Sequence, residues 1–199
     1  QGNNNKQEER MSVFQRRIVV VGKSGVGKTT LIEKFCYGQR QSPEGHTEVD
    51  ATHKKTINYP SLTLDLSVVD TSTVEVQNVQ ITMGLSSAVI FVYDAGDRDS
   101  FEILKELLVP FQKPKPFRDP LIGVLVANKT EPKTTEAVPF MELANFARDN
   151  HLEFVTCSAI EGDQFEIPFK AVARTFAQKI IHIHGGPPTS YENPKCTIL

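Results

Sequence analysis

Apolar runs recur along the chain and predict six strands. Continuous runs at about residues 17–21, 88–93 and 121–127 are typical of strands covered on both faces of a sheet. From residue 62 to 69 apolar and more polar residues alternate, which is the period of a strand with one buried face. A Pro60-Ser61 turn separates this stretch from a strand predicted at 51–59, so we expect an antiparallel hairpin. A last strand is predicted at 153–157.

Stretches of helical periodicity separate these strands. Helices are predicted at about 28–37, 99–111, 139–150 and 165–183. Residues 39–50 are predicted to be loop, and residues 70–84 to be irregular with a weak helical pattern. Alternating strands and helices predict an α/β fold with a doubly wound, mostly parallel six-stranded sheet, one antiparallel edge strand and about five helices.

Composition and charge narrow the class of protein. The 199 residues are 39% hydrophobic and 23% charged, as in a globular domain, and the net charge of -2 gives no reason to expect a nucleic-acid partner. Three widely spaced cysteines form no disulfide framework or zinc spacing, which favours a reducing compartment. No apolar run approaches membrane-spanning length and no secretory signal opens the chain. We expect a disordered extension at 1–15, one soluble domain at 16–184 and a flexible tail at 185–199.

A phosphate-binding motif, G-x-x-x-x-G-K-[ST], occupies residues 22–29 between the first strand and the first helix. Glycines allow a tight turn whose N–H groups, with the helix N-terminus, form a nest for phosphate. Lys28 is predicted to reach the β- and γ-phosphates, and the Thr29 hydroxyl to ligate Mg²⁺. The predicted phosphate-binding residues of this segment are Gly22, Ser24, Gly25, Val26, Gly27, Lys28, Thr29 and Thr30. The motif predicts that the protein binds a nucleoside triphosphate or its product.

Polar residues at the ends of other strands are candidates for contacts with a ligand, because ligands bind at the carboxyl ends of the strands in such sheets. Asp70 ends the third strand, as does the aspartate that holds Mg²⁺ in P-loop proteins. Asn-Lys-Thr-Glu at 128–131 follows the fifth strand, and Thr-Cys-Ser-Ala at 156–159 the sixth. With the segment at 93–101, this order of motifs resembles the Ras superfamily of small GTPases from about residue 17 to 183. The resemblance implies a monomeric P-loop NTPase domain that binds Mg²⁺ and switches between a GTP-bound and a GDP-bound state. Its expected partners are effectors and an exchange factor.

The guanine site is assigned by this resemblance. Asn128 would bond the base and tie its loop to the phosphate loop, while the Lys129 stem stacks on the ring. Glu131 stands where the family has the aspartate that binds the guanine N1 and N2 hydrogens. A charge-assisted hydrogen bond contributes about 1.5–3 kcal/mol, so the added methylene puts tenfold or more of affinity at stake. The assigned guanine-binding residues are Asn128, Lys129, Glu131, Ser158, Ala159 and Ile160, with the Ala159 amide expected at the guanine O6.

The two switch segments are assigned in the same way. Thr47 is predicted to ligate Mg²⁺, with Thr29 and Asp70, and to contact the γ-phosphate; Thr52 is the alternative. The second switch departs from the family's Asp-x-x-Gly-Gln, because Thr73 replaces the glycine at the γ-phosphate and Val74 replaces the glutamine. Effectors are expected to dock on residues 42–55 and 71–84.

The change at Val74 bears on catalysis. The family's glutamine orients the attacking water, and valine has no hydrogen-bonding group. Ser24 also stands where a family glycine leaves room for the arginine of a GTPase-activating protein. We therefore assign no catalytic residue and predict slow hydrolysis with poor response to ordinary activating proteins, unless Glu75 or Gln77 positions the water.

The last four residues, Cys-Thr-Ile-Leu at 196–199, match a C-a-a-X box whose leucine favours geranylgeranylation of Cys196. Few basic residues and no second cysteine lie near Cys196 to strengthen membrane binding. We therefore expect reversible lipid anchoring on the cytoplasmic side of the plasma membrane or an endomembrane. A single cysteine of this kind fits the Ras-like and Rho-like branches better than the Rab branch, and we favour the Ras-like branch. The preferred interpretation is a membrane-associated GTP-binding switch. The alternatives are a non-hydrolysing pseudo-GTPase used as a binding module, and an ATP-dependent kinase that would share only the motif at 22–29.

Overall fold

A computed structural model describes residues 12–41, 51–71, 76–109, 122–131, 135–161 and 164–184. These residues form one six-stranded sheet in the order β2-β3-β1-β4-β5-β6, in which only β2 is antiparallel to its neighbour. The strands are β1 (Ser12–Val21), β2 (Ala51–Asn58), β3 (Leu62–Asp70), β4 (Ala88–Asp94), β5 (Ile122–Asn128) and β6 (Glu153–Thr156). The helices are α1 (Lys28–Tyr37), α2 (Val76–Gly84), α3 (Arg98–Leu108), α4 (Phe140–Asp149) and α5 (Ile167–His184). The predicted fold class is confirmed.

Helices cover both faces of the sheet, which explains the continuous apolar runs. Ile18 and Val20 of β1 point into a core shared with α1 and α5, whereas Val19 and Val21 point into a second core shared with α3 and α4. Because β3, β1, β4, β5 and β6 run parallel, their carboxyl ends lie at the same edge of the sheet. None of the helices in the described ranges is long and apolar enough to cross a bilayer.

The first strand is longer than predicted. It begins at Ser12, which pairs with Leu62 of β3, rather than at residue 17. The added residues are mostly exposed and polar, so they lack a strand-like apolar pattern; the Arg16 guanidinium lies 5.9 Å from the ring centroid of Phe14. Residues 12–15 thus belong to the sheet and not to the extension predicted at 1–15, whose first 11 residues lie outside the described ranges.

The second helix was predicted too weakly. Residues 76–84 form α2, within the segment that we predicted to be irregular. Val79 and Met83, four residues apart, are buried against the sheet, but Ile81 is 63% exposed and Leu85, just past the helix, 71% exposed. Apolar residues on the outer face blur the amphipathic pattern on which the prediction depended.

Candidate nucleotide-binding site

The loop between β1 and α1 follows a path that only glycine permits at two points. A Cβ at Gly22 would lie 2.0 Å from the carbonyl oxygen of Val92 in β4. Gly27, which caps α1, has a φ of 95°, and a Cβ there would lie 2.5 Å from Nδ2 of Asn128. Close packing against β4 and β5 therefore fixes the backbone of the loop where phosphate is predicted to bind.

The Lys28 side chain folds back along this loop. Its residue is 7% exposed, and Nζ donates to the carbonyl oxygens of Gly22 at 2.9 Å and of Lys23 at 3.3 Å. These bonds hold the ammonium group inside the turn at the N-terminus of α1, where a charged donor suits a phosphate. Among the other predicted phosphate ligands, Ser24 and Gly25 are exposed, the Val26 side chain lies in the core and Thr30 is half-buried.

Two oxygen-bearing side chains meet beside the loop. The Thr29 hydroxyl donates to Oδ2 of Asp70 at 2.5 Å, which brings α1 to the end of β3, and Asp70 is fully buried. Hydroxyl and carboxylate oxygens are the ligands that Mg²⁺ prefers, so this donor set fits the predicted metal. Thr47, Thr73, Val74 and Glu75 lie outside the described residues, as does the side chain of Gln77; Thr52 is an exposed residue of β2.

Asn128 joins the two halves of the site. The residue is fully buried at the end of β5, and its Nδ2 donates to the carbonyl oxygen of Val26 at 2.7 Å. Its Oδ1 accepts the N–H of Ala159 at 2.9 Å and contacts the Cys157 thiol at 3.7 Å. The Ala159 N–H, predicted to meet the guanine O6, is therefore donated to Asn128 here. One side chain thus ties the phosphate loop to the loop after β6.

The loop after β6 in turn holds Glu131. The Ser158 hydroxyl donates to Oε1 of Glu131 at 2.8 Å and accepts the N–H groups of Ile160 at 3.1 Å and Glu161 at 2.8 Å. Lys34 of α1 donates to the carbonyl oxygen of Ile160 at 2.9 Å, while the Ile160 side chain is 71% exposed. Despite its extra methylene, the carboxylate that replaces the family's aspartate is anchored to the loop after β6, residues 157–161, which we call the base loop.

Two ion pairs join this edge of the sheet to the end of β4 and to the start of α3. Nζ of Lys129, whose backbone is left-handed with a φ of 63°, lies 2.7 Å from Oδ2 of Asp94. Nζ of Lys23 lies 2.9 Å from Oδ2 of Asp97. That hydrogen bond raises the pKa of Lys23 and lowers the pKa of Asp97.

The sequence analysis assigned no role to Lys23, Asp94 or Asp97. A signal was available, however. The lysine occupies a variable position of the phosphate motif, and the two acidic residues lie at the end of β4 and just after it, and β4 is next to β1 in the sheet.

The buried cysteines carry no reactive thiol. Burial raises the pKa of Cys36 to about 11 and that of Cys157 to about 12. Both thiols are therefore neutral near pH 7 and pack as small apolar groups.

Comparisons with known proteins identify the family of the chain. A model of the Ras family matches residues 17–178, well over half of the chain. The chain is 27% identical over 171 residues to "Ras-related protein Rab-4B" of Rattus norvegicus and of Homo sapiens, covering 84% of this chain and 78% of each relative. It is 27% identical over 170 residues to "Ras-related protein Rab-4A" of Bos taurus, covering 84% of this chain and 77% of the relative.

The family match confirms the resemblance seen in the motifs. The relatives carry Rab names, whereas the tail favoured the Ras-like branch, so the branch stays a prediction. The matched span includes the phosphate motif at 22–29 and the Asn128-Lys129 pair. The chain belongs to the Ras family of small GTPases, which are GTP-binding switches.

Proposed function

We propose that this protein binds GTP and GDP with Mg²⁺ and acts as a signalling switch that hydrolyses GTP slowly. The observation that carries the proposal is the buried Asn128 side chain, which bonds the phosphate loop through Val26 and the base loop through Ala159. A ligand that spans both loops, with phosphates at one end and a purine at the other, suits such a cross-linked pair of loops.

Each end of the nucleotide has its own residues. At the phosphate end, Lys28 binds the β- and γ-phosphates together with backbone N–H groups of residues 22–30. Thr29 and Asp70 hold Mg²⁺ with Thr47, and the metal, when bound, neutralises charge on the phosphates. Thr73 stands where the amide of a family glycine contacts the γ-phosphate, and threonine has less backbone freedom than glycine.

At the base end, the Lys129 stem lies over the ring and Glu131 accepts the guanine N1 and N2 hydrogens. Ser158, Ala159 and Ile160 shape the pocket around O6. The hydrogen bond from Ser158 to Glu131 supports this assignment, because it holds the carboxylate at the loop where the base would lie.

Slow hydrolysis follows from the second switch. Intrinsic hydrolysis in Ras is already on the order of 10⁻⁴ s⁻¹, and it depends on a glutamine that orients the water. The side chain of Val74 can neither donate nor accept a hydrogen bond, so it cannot orient the attacking water as the glutamine does. A GTPase-activating protein that works through the same glutamine would accelerate this protein little.

A competition assay tests base recognition. A fluorescent GDP analogue bound with Mg²⁺ should be displaced by GDP and GTP at concentrations at which ADP and ATP leave it bound. Single-turnover hydrolysis of radiolabelled GTP by the same preparation should then be slow but measurable. Equal displacement by adenine and guanine nucleotides would contradict the proposal.

A non-hydrolysing pseudo-GTPase is the second candidate, favoured by Thr73, Val74 and Glu131. In that case the nucleotide stabilises a binding module and never changes its state. The hydrolysis assay separates the two, since this candidate requires no phosphate release above that of GTP in buffer.

Partners and membrane follow from the surface and the tail. Ile81 and Leu85, apolar and exposed at α2, fit an effector that docks on residues 42–55 and 71–84, and an exchange factor would reload the site.

Prenylation of Cys196 would hold the protein reversibly on the cytoplasmic side of a membrane. In cells, Cys196→Ser should move the protein from the membrane fraction to the soluble fraction; an unchanged distribution would contradict the anchor.

A further inference from the structure

We propose that Asp94 and Asp97 are positioning residues of the nucleotide site, each fixing one lysine before the nucleotide arrives. Asp94 is the last residue of β4, and Asp97, at the end of the short turn that follows, caps α3. One holds the lysine of the base motif and the other a lysine of the phosphate loop. The inference rests on the proposed nucleotide binding and assigns a role to residues outside the motifs.

Asp94 uses its two oxygens for different purposes. Oδ1 accepts the N–H of Gly96 at 3.0 Å, which closes the turn on itself. Oδ2 lies 2.7 Å from Nζ of Lys129. The ammonium group is thereby held at the end of β4, so the aliphatic stem that is proposed to cover the base has a fixed far end.

Asp97 divides its oxygens in the same way. Oδ1 accepts the N–H of Asp99 at 3.0 Å and so caps the N-terminus of α3. Oδ2 accepts from Lys23 at 2.9 Å. The Lys23 carbonyl in turn accepts a hydrogen bond from Lys28, so this ion pair also steadies an acceptor of the ammonium group that is proposed to bind phosphate.

The turn that carries both carboxylates is itself held in place. The fully buried Ser100 accepts the N–H of Asp94 at 3.0 Å and donates to the carbonyl oxygen of Asp97 at 2.6 Å. The N–H of Ala95 donates to the carbonyl oxygen of Asn128 at 2.8 Å. The two carboxylates therefore keep a fixed spacing from each other and from the base motif.

Fixing the lysines in advance should favour binding. A lysine side chain loses conformational freedom when it is ordered, and a site that is already ordered loses less on binding. Both ion pairs are partly exposed, with relative side-chain exposures of 36% and 36% for Lys23 and Asp97, and of 37% and 20% for Lys129 and Asp94. Each pair should thus slow nucleotide release by a modest factor, about twofold to fivefold.

The test uses Asp94→Asn and Asp97→Asn in the full chain. Asparagine keeps an oxygen for the N–H of Gly96 or Asp99 but loses the charge that holds the lysine. Glu142→Gln is the matched control, because it breaks ion pairs with Arg98 and Lys105 that lie on the α3–α4 surface. The readout is the release rate of a fluorescent GDP analogue at about 20 mM and about 300 mM NaCl, ionic strengths that screen exposed pairs weakly and strongly.

We expect each aspartate variant to release GDP about twofold to fivefold faster than wild type at low salt, with a smaller difference at high salt and no change for the control. Lys23→Met should match Asp97→Asn, and the two changes together should add nothing further. Wild-type release rates in both aspartate variants, or equal acceleration by the control, would overturn the inference. A wild-type protein that binds no guanine nucleotide would overturn the proposed function instead.

Discussion

The base side and the Mg²⁺ side of the site are built around similar residues but follow the family's pattern to different degrees. Asn128 ends β5 and Asp70 ends β3, and both are fully buried. Around Asn128 a closed set of hydrogen bonds joins two loops. After Asp70 the chain continues with Thr73 and Val74, where the family has glycine and glutamine.

This difference separates holding a nucleotide from hydrolysing it. The residues proposed to hold it are tied into the fold, since truncating Asn128 would leave the Val26 carbonyl and the Ala159 N–H without this partner, at about 1–3 kcal/mol each. The family's glutamine, which orients water, acts on the attacking water and is not one of the groups that hold the nucleotide. A chain can therefore lose the second function and keep the first.

The largest expected effect breaks the binding side. Lys28→Ala removes a charged donor to two phosphates, and bonds of about 1.5–3 kcal/mol each correspond to a loss of GDP affinity of about a hundredfold or more. Equilibrium titration with a fluorescent GDP analogue measures it. Lys170→Ala, which removes an exposed lysine from α5, is the control and should bind as wild type. Near-normal GDP binding by Lys28→Ala would contradict the assignment of residues 22–29 as the phosphate-binding loop.

The next prediction rebuilds the hydrolysis side. Thr73→Gly with Val74→Gln restores the family's residues and should raise single-turnover GTP hydrolysis by about tenfold, the equivalent of about 1.4 kcal/mol of barrier. GDP affinity should change little, because the base side is untouched. An unchanged rate would mean that the second switch does not limit hydrolysis.

A similar gain is expected on the base side. Glu131→Asp restores the family's shorter carboxylate, and bidentate contact to the guanine should tighten GDP binding by about tenfold. Competition by ADP should not improve, since adenine lacks the N1 and N2 donors. Weaker GDP binding in the variant would show that the hydrogen bond from Ser158 already places Glu131 well.

The smallest effect concerns pH. The pKa of Asp97 is lowered from 3.8, so its stabilisation is present above that value and is lost as pH falls through the lower, folded-state pKa. The pKa of Lys23 is raised from 10.5, so its part is present below that value and is lost as pH rises through the higher one. Urea midpoints of wild type and Asp97→Asn should differ by a constant amount from about pH 5 to 9 and converge below about pH 3.8. A difference that vanishes near neutral pH would contradict the ion pair.

Much of the fold was predictable because burial on both sheet faces leaves long apolar runs. Residues 88–93 and 121–127 became β4 and β5 with little change of bounds. The first residues of β1 were missed and α2 was predicted only weakly for the opposite reason: exposed Ser12 and Gln15 hide the start of one strand, and exposed Ile81 and Leu85 obscure one helix. Local patterns report burial, and they fail where an element is only half covered.

The site was predictable where a motif keeps its spacing and unpredictable where side chains meet across the sheet. Asn128 and Lys28 follow from their motifs. The bond from Asn128 to Val26 spans 102 positions, and the pair of Lys23 with Asp97 spans 74. Such partners become visible only when neighbouring strands align their carboxyl ends.

The nucleotide carried by the purified protein tests the central claim most directly. The protein would be purified in Mg²⁺, denatured and its nucleotide separated by ion-pair chromatography. If the protein binds guanine nucleotide tightly and hydrolyses GTP slowly, guanine nucleotide should be present and most of it should be GTP. Mostly GDP would contradict the account, because another group would then have to orient the water in place of the glutamine that Val74 replaces.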